Sequence, residues 1–133
     1  MERLKLKFQD AKNALKTLEE ILKEPFSIIV RDAAIQRFEY TFEAIWKFAK
    51  EFLKENEGIL SNSPKSCFRE MFNLNIISEE ETVKLLEITD RRNDTSHTYK
   101  AGVAELIFDD MEEYLAMFKI VLKRFEEKMI RPK

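Results

Sequence analysis

Apolar positions recur along most of the chain in steps of three and four, the signature of helices that bury one face. From Glu2 to Lys23 the stripe runs through Leu4, Phe8, Ala11, Leu15, Leu18 and Leu22. Pro25 closes this segment, because proline disfavours the helical conformation in the residue before it. A second helix is expected from about Ser27 or Arg31 to Asn56, on Ile35, Phe38, Phe42, Ile45, Ala49 and Phe52. Tyr40, Trp46, Phe48 and Leu53 lie off that seam, so this helix is too apolar for one buried stripe and is expected to meet neighbours on two sides. Gly58 suits its C-terminal stop.

Two start signals follow. Ser63 before Pro64 pairs an N-cap residue with a proline at the first helical position, and Cys67, Phe68, Met71 and Phe72 give a short apolar face. Ser78 with Glu81 three residues on makes a capping box, opening a fourth helix from Glu79 to about Asn93 with Val83, Leu86 and Ile88 as core candidates. The last segment, Ala101 to Ile130, reads as the longest helix. Its stripe passes through Ala104, Phe108, Met111, Leu115, Phe118, Leu122, Phe125 and Met129, with a weaker one at Ile107, Tyr114, Met117 and Val121. Nothing reads as a strand or repeat. The expectation is an all-α protein, an antiparallel up-and-down four-helix bundle with an extra short helix, forming one domain over 1–133.

Composition narrows the function classes. Among 133 residues, glycine and proline number 2 and 3, which fits long helices with few connections. The net charge of −2 argues against an extended nucleic-acid surface, though not against a small basic cleft. One cysteine excludes an intrachain disulfide and a cysteine metal cluster, and fits a reducing compartment. The charged, amphipathic N-terminus lacks a signal-peptide core, and no stretch approaches the roughly 20 apolar residues of a membrane span. A cytoplasmic protein without a membrane contact is expected.

Candidate chemistry concentrates in "DRRNDTSHTY", Asp90 to Tyr99, which holds the single histidine. Arginine offers a permanently charged fork for phosphate, histidine titrates near neutral pH, and tyrosine can stack or hydrogen-bond. Asn93 to Ser96 favour caps and turns, so a corner is expected before the last helix. A straight helix would set position 92 beside 96 rather than 97, so convergence of Arg92 and His97 needs that corner or a second chain. On residues alone, a polar helix end with cap and dipole partners is the commoner reading.

The spacing Arg92, four residues, His97, one residue, Tyr99 resembles the signature of the HEPN superfamily, and Asn93 matches its Arg-Asn-x3-His-x-Tyr variant. "RDAAIQRFEYTFEAIWK", Arg31 to Lys47, and "SPKSCFREMFNLNII" resemble two helices of the nucleotidyltransferase substrate-binding proteins, so the likeness spans nearly the whole chain. Arg91 offers an alternative register. The resemblance implies a homodimer, a gene beside that of a minimal nucleotidyltransferase, and a nucleotide or RNA cleft shared by two chains. In the related HepT toxins the Arg-x4-His motif is a metal-independent ribonuclease site, and a MntA-type enzyme silences it by adding AMP to the motif tyrosine, here Tyr99. It further implies a polar partner on the second helix. Glu39 and Glu43 are the candidates, within a row Asp32, Gln36, Glu39, Glu43 and Lys47 that also suits a solvated face. No cofactor and no metal ligand is implied. Three readings follow: a substrate-binding partner subunit of the nucleotidyltransferase in a toxin–antitoxin-like module, a ribonuclease toxin in the same arrangement, and a non-catalytic helical adaptor.

Overall fold

The computed structural model describes residues 2–130, in which six α-helices and no strand occur. They are α1 (Glu2–Leu22), α2 (Ile28–Glu57), α3 (Pro64–Asn73), α4 (Glu79–Asp94), α5 (Val103–Asp109) and α6 (Met111–Ile130), with a 3-10 turn at Thr95–His97 between α4 and α5.

Local chemistry sets most of the boundaries. The Ser27 hydroxyl accepts from the Val30 N–H at 3.0 Å and caps α2, so that helix starts at the earlier of its two expected positions. Gly58 ends α2 at φ 68°, a left-handed conformation glycine adopts without a Cβ penalty, and the next N–H reaches back to the Leu53 carbonyl at 3.0 Å. Ser63 caps α3 with Pro64 in its first turn. At α4 the capping box is complete: the Glu81 N–H donates to Ser78 Oγ at 3.1 Å, and the Ser78 N–H donates to Glu81 Oε1 at 2.8 Å.

Cross-helix pairs give the topology. Arg3 bonds Glu51 and the Arg37 guanidinium donates to the Thr17 carbonyl, so α1 and α2 are antiparallel. Lys119 pairs with Glu19 and Lys12 with Glu126, which sets α6 antiparallel to α1. Arg124 reaches Glu81 and Lys84 reaches Glu113, so α4 runs against α6. Helices α1, α2, α4 and α6 form the up-and-down bundle, and α3 lies against α2 and α4. Across the diagonal, α2 and α6 run parallel and share the aromatic core. Phe38 meets Tyr114 and Phe118 at 5.6 and 5.8 Å between ring centroids, and Phe125 meets Phe48 and Phe52 at 4.9 Å each. The off-seam Phe48 and Leu53 are fully buried because α2 has neighbours on several sides.

Two expectations need correction. The last segment is two helices, not one: it opens after Gly102 at φ 81°, and Asp110 leaves the helical region at φ −103°, ψ 12°. Asp109 and Asp110 are weak helix formers, and an acidic residue ahead of α6 complements its N-terminal dipole together with Glu112 and Glu113. In α4 the buried face is Thr82, Leu85, Ile88 and Thr89, while Val83 is 61% exposed and Leu86 only partly buried. Two of those buried positions are threonines, each donating to the carbonyl four residues back, at 2.8 Å from Thr82 to Ser78 and from Thr89 to Leu85. Hydroxyls satisfied in this way can be buried, and they hide the stripe from a search for apolar residues.

Candidate functional site

The corner between α4 and α5 closes one end of the bundle against the first half of α2. Arg92 sits in the last turn of α4, where a cation complements the negative end of the helix dipole. Its guanidinium turns to α2: Nη2 lies 2.7 Å from Glu43 Oε1, and Nη1 lies 3.8 Å from Glu39 Oε2. The helical spacing of Glu39 and Glu43 puts both carboxylates one above the other on a single face of α2. Arg92 Nε is buried without a partner, so the charge is satisfied through its outer nitrogens alone.

Two other side chains hold these acids. Trp46 Nε1 donates to Glu43 Oε2 at 2.9 Å, and the Thr95 hydroxyl stands 2.9 Å from Glu39 Oε2. Thr95 Oγ1 is also 2.7 Å from the Arg92 carbonyl. Thr95 therefore ties the end of α4 to α2 at the point where the chain tightens into the 3-10 turn. Neither Trp46 nor Thr95 was singled out from the sequence as a site residue. The signal for Trp46 was its position off the buried seam, one turn beyond Glu43.

His97 ends the 3-10 turn and is exposed. Tyr99 is 77% exposed, with its hydroxyl 3.4 Å from His97 Nδ1 and the two rings edge to face. No hydrogen bond or ion pair joins Arg92 to His97 within one chain among the described residues. The corner thus brings together Arg92, Glu39 and Glu43 as one cluster, and His97 with Tyr99 as a second beside it. Arg91 does not join either: its Nη1 pairs with Asp94 at 3.2 Å. Asn93 is exposed.

Beyond Tyr99 the surface continues into a groove of about 360 Å³ lined by Arg31, Asp32, Ile35, Thr98, Tyr99 and Ala104. Arg31 crosses its wall, donating from Nε to Asp32 Oδ1 at 3.0 Å and from Nη1 to Glu105 Oε1 at 2.9 Å. That second bond fastens α5 to α2. No group of histidine, cysteine and carboxylate side chains suited to a metal ion occurs among the described residues, and none of their helices is long and apolar enough to cross a membrane.

A family model described as nucleotidyltransferase substrate binding protein like matches residues 6–127. Among solved structures, a Thermus thermophilus protein is 42% identical, with a TM-score of 0.81 over 86% of this chain and 97% of that one. A chain from the complex of a tri-AMPylated Shewanella oneidensis HEPN toxin with an MNT antitoxin is 15% identical, with a TM-score of 0.77 over 93% and 96%. A Haemophilus influenzae protein, described as having the fold of a substrate binding domain of a nucleotidyltransferase, is 23% identical, with a TM-score of 0.64 over 94% and 98%. The last two likenesses are of fold. No curated protein matches the chain.

Proposed function

The chain belongs to the nucleotidyltransferase substrate-binding protein family, and from that membership we propose that it is the HEPN-type partner subunit of a minimal nucleotidyltransferase in a two-gene, toxin–antitoxin-like module. It binds a nucleotide or RNA phosphate at the corner of Arg92, His97 and Tyr99. The observation that carries this reading is the pre-positioned Arg92 guanidinium, held by Glu43 at 2.7 Å beside the exposed His97 and Tyr99.

Each side chain has a physical role in this reading. Arg92 exchanges a carboxylate contact for phosphate oxygens, with Glu39 and Glu43 keeping the unoccupied guanidinium in place. Arg91 and Asn93 contribute a further charge and a donor at the rim. Tyr99 is the acceptor for AMP: its phenolic oxygen forms a bond to the α-phosphorus of ATP, pyrophosphate leaves, and the phenolic proton passes to solvent. The Shewanella neighbour, an AMPylated toxin bound to an MNT protein, supports such a partner and such a modification.

A second reading, a metal-independent ribonuclease, is favoured by the placement of Arg92 and His97 at one corner. There His97 takes the proton of a ribose 2′-hydroxyl, that oxygen attacks the phosphorus, and the bond to the 5′-oxygen breaks as that oxygen takes a proton from water, while Arg92 stabilises the charged intermediate. Because no hydrogen bond or ion pair joins Arg92 to His97 within one chain, this reading draws the two from opposite protomers of a homodimer.

The test is co-expression with the nucleotidyltransferase encoded beside this gene, followed by incubation with ATP and intact-mass measurement. A stable complex and a mass gain of AMP that disappears in Tyr99→Phe are expected. Absence of any complex overturns the partner role. A parallel incubation with RNA in chelator decides the second reading: cleavage lost in both Arg92→Ala and His97→Ala supports it, and cleavage that survives either substitution removes it.

A further inference from the structure

The groove beyond Tyr99 is not used by the chemistry at Arg92, yet it is built from side chains that suit a nucleobase. Its floor is apolar, with Ile35 and Ala104 both buried. Its rim is the Tyr99 ring, exposed and free to stack on a flat ligand. One wall carries a carboxylate and a guanidinium in contact. Arg31 is only 16% exposed and is fixed at both ends, so it holds Asp32 Oδ1 at 3.0 Å while the Asp32 side chain stays 59% exposed. Asp32 and Glu39 lie two helical turns apart on α2, about 10 Å at 1.5 Å per residue, which is the reach from a phosphate to a base of the same or the adjacent nucleotide.

We propose that this groove is a guanine-reading subsite for the RNA or nucleotide held at Arg92. The inference rests on the phosphate-binding reading of that corner. A carboxylate accepts two hydrogen bonds side by side, and among the bases guanine alone presents two adjacent donors, N1–H and the 2-amino group, with the O6 acceptor next to them. Asp32 takes the two donors and Arg31, at its side, faces O6, as arginine does in other guanine contacts. Adenine and cytosine set an acceptor beside their amino group, which a carboxylate repels. Uracil flanks its one N–H with two carbonyl oxygens. The base stacks under Tyr99 on the apolar floor, and its phosphate lies toward Arg92.

Short single-stranded oligouridine RNAs carrying one central guanosine, inosine, adenosine or uridine test the subsite by fluorescence anisotropy. Inosine lacks only the 2-amino group. The guanosine RNA is expected to bind the wild-type protein about tenfold more tightly than the inosine RNA, and this ratio is expected to fall to about one in Asp32→Asn. Arg92→Ala is expected to weaken all four RNAs by the same factor. Circular dichroism of each variant establishes that it is folded. Equal binding of the four RNAs by the wild type overturns the guanine subsite and leaves the phosphate site standing. A guanosine preference that survives Asp32→Asn overturns it also. Failure of the wild type to bind any of the RNAs overturns the phosphate site and the subsite with it.

Discussion

Arg92 and Tyr114 show two ways in which a buried polar atom is tolerated. Arg92 leaves Nε unpartnered but satisfies its charge with Glu43 and Glu39. Tyr114 sits in the aromatic core against Phe38, and its hydroxyl is buried without a partner. Burial, then the nearby Asp110 and Glu87 carboxylates, push its phenol up to about 12, so it stays protonated throughout the physiological range. An unmade hydrogen bond of this kind costs free energy that the ring does not need. Tyr114→Phe keeps the packing and removes the hydroxyl, and is expected to stabilise the protein by roughly 1 kcal/mol, read as a rise of about 3 °C in thermal midpoint. A fall in the midpoint would show that the hydroxyl has a partner. At this scale the sequence was informative about identity but not about partners. Glu39 and Glu43 stood out as candidates for Arg92 through the family resemblance, whereas Thr95 and Trp46 did not, since neither a threonine in a turn nor a tryptophan off a seam declares which carboxylate it will meet.

The helices differ in how openly the sequence declares them, and the difference follows from how local their causes are. The caps at Ser63, Ser78 and Gly58 act within six residues, so their positions could be read directly, whereas Ser27 was one of two starts the pattern allowed for α2. The α5–α6 break was hidden because the apolar steps from Ala104 to Met129 cross it undisturbed, although Asp109 and Asp110 interrupt the backbone there. Glu81 shows a local signal acquiring a second, long-range role. Besides closing the capping box it receives both ends of the Arg124 fork, at 2.7 and 2.9 Å, and Arg124 also donates to the Ile76 carbonyl at 3.1 Å. Burial raises the Glu81 carboxyl, but the Ser78 backbone N–H and Arg124 outweigh it and hold the group below its ordinary value. A carboxyl lowered in the folded state adds stability above its unfolded value and loses it as the pH falls through the folded one. Glu81→Gln is therefore expected to cost about 1.5 kcal/mol at neutral pH, with the gap to the wild type closing as denaturant melts are taken below the normal carboxylate range. A gap independent of pH would mean that the charge contributes nothing.

For the molecule as a whole, the end of the bundle that carries the corner also exposes large apolar side chains. Phe26, Ile28 and Ile29 are exposed at the start of α2, Ile29 at 82%, and Leu106 is exposed on α5, which the Arg31–Glu105 bond holds alongside. Exposed apolar side chains of this kind mark an interaction surface, and here they lie at the same end of the bundle as the corner of Arg92 and His97. If it is where two protomers join, Ile29→Asp is expected to convert a dimer to a monomer in light scattering while the helical circular dichroism is retained. A wild type that is already monomeric contradicts the homodimer. The four-helix plan was legible because its stripes are long and regular, while the exposed apolar side chains at this end follow no periodicity that would declare what they meet. One last consequence follows from the hydrogen bond between Trp46 and Glu43. The chain has a single tryptophan, and its indole N–H is tied to the same carboxylate that holds Arg92. On the proposed phosphate-binding reading, a ligand that draws the guanidinium away changes the charge beside that indole, so its binding is expected to shift the emission of this one tryptophan in the unlabelled molecule.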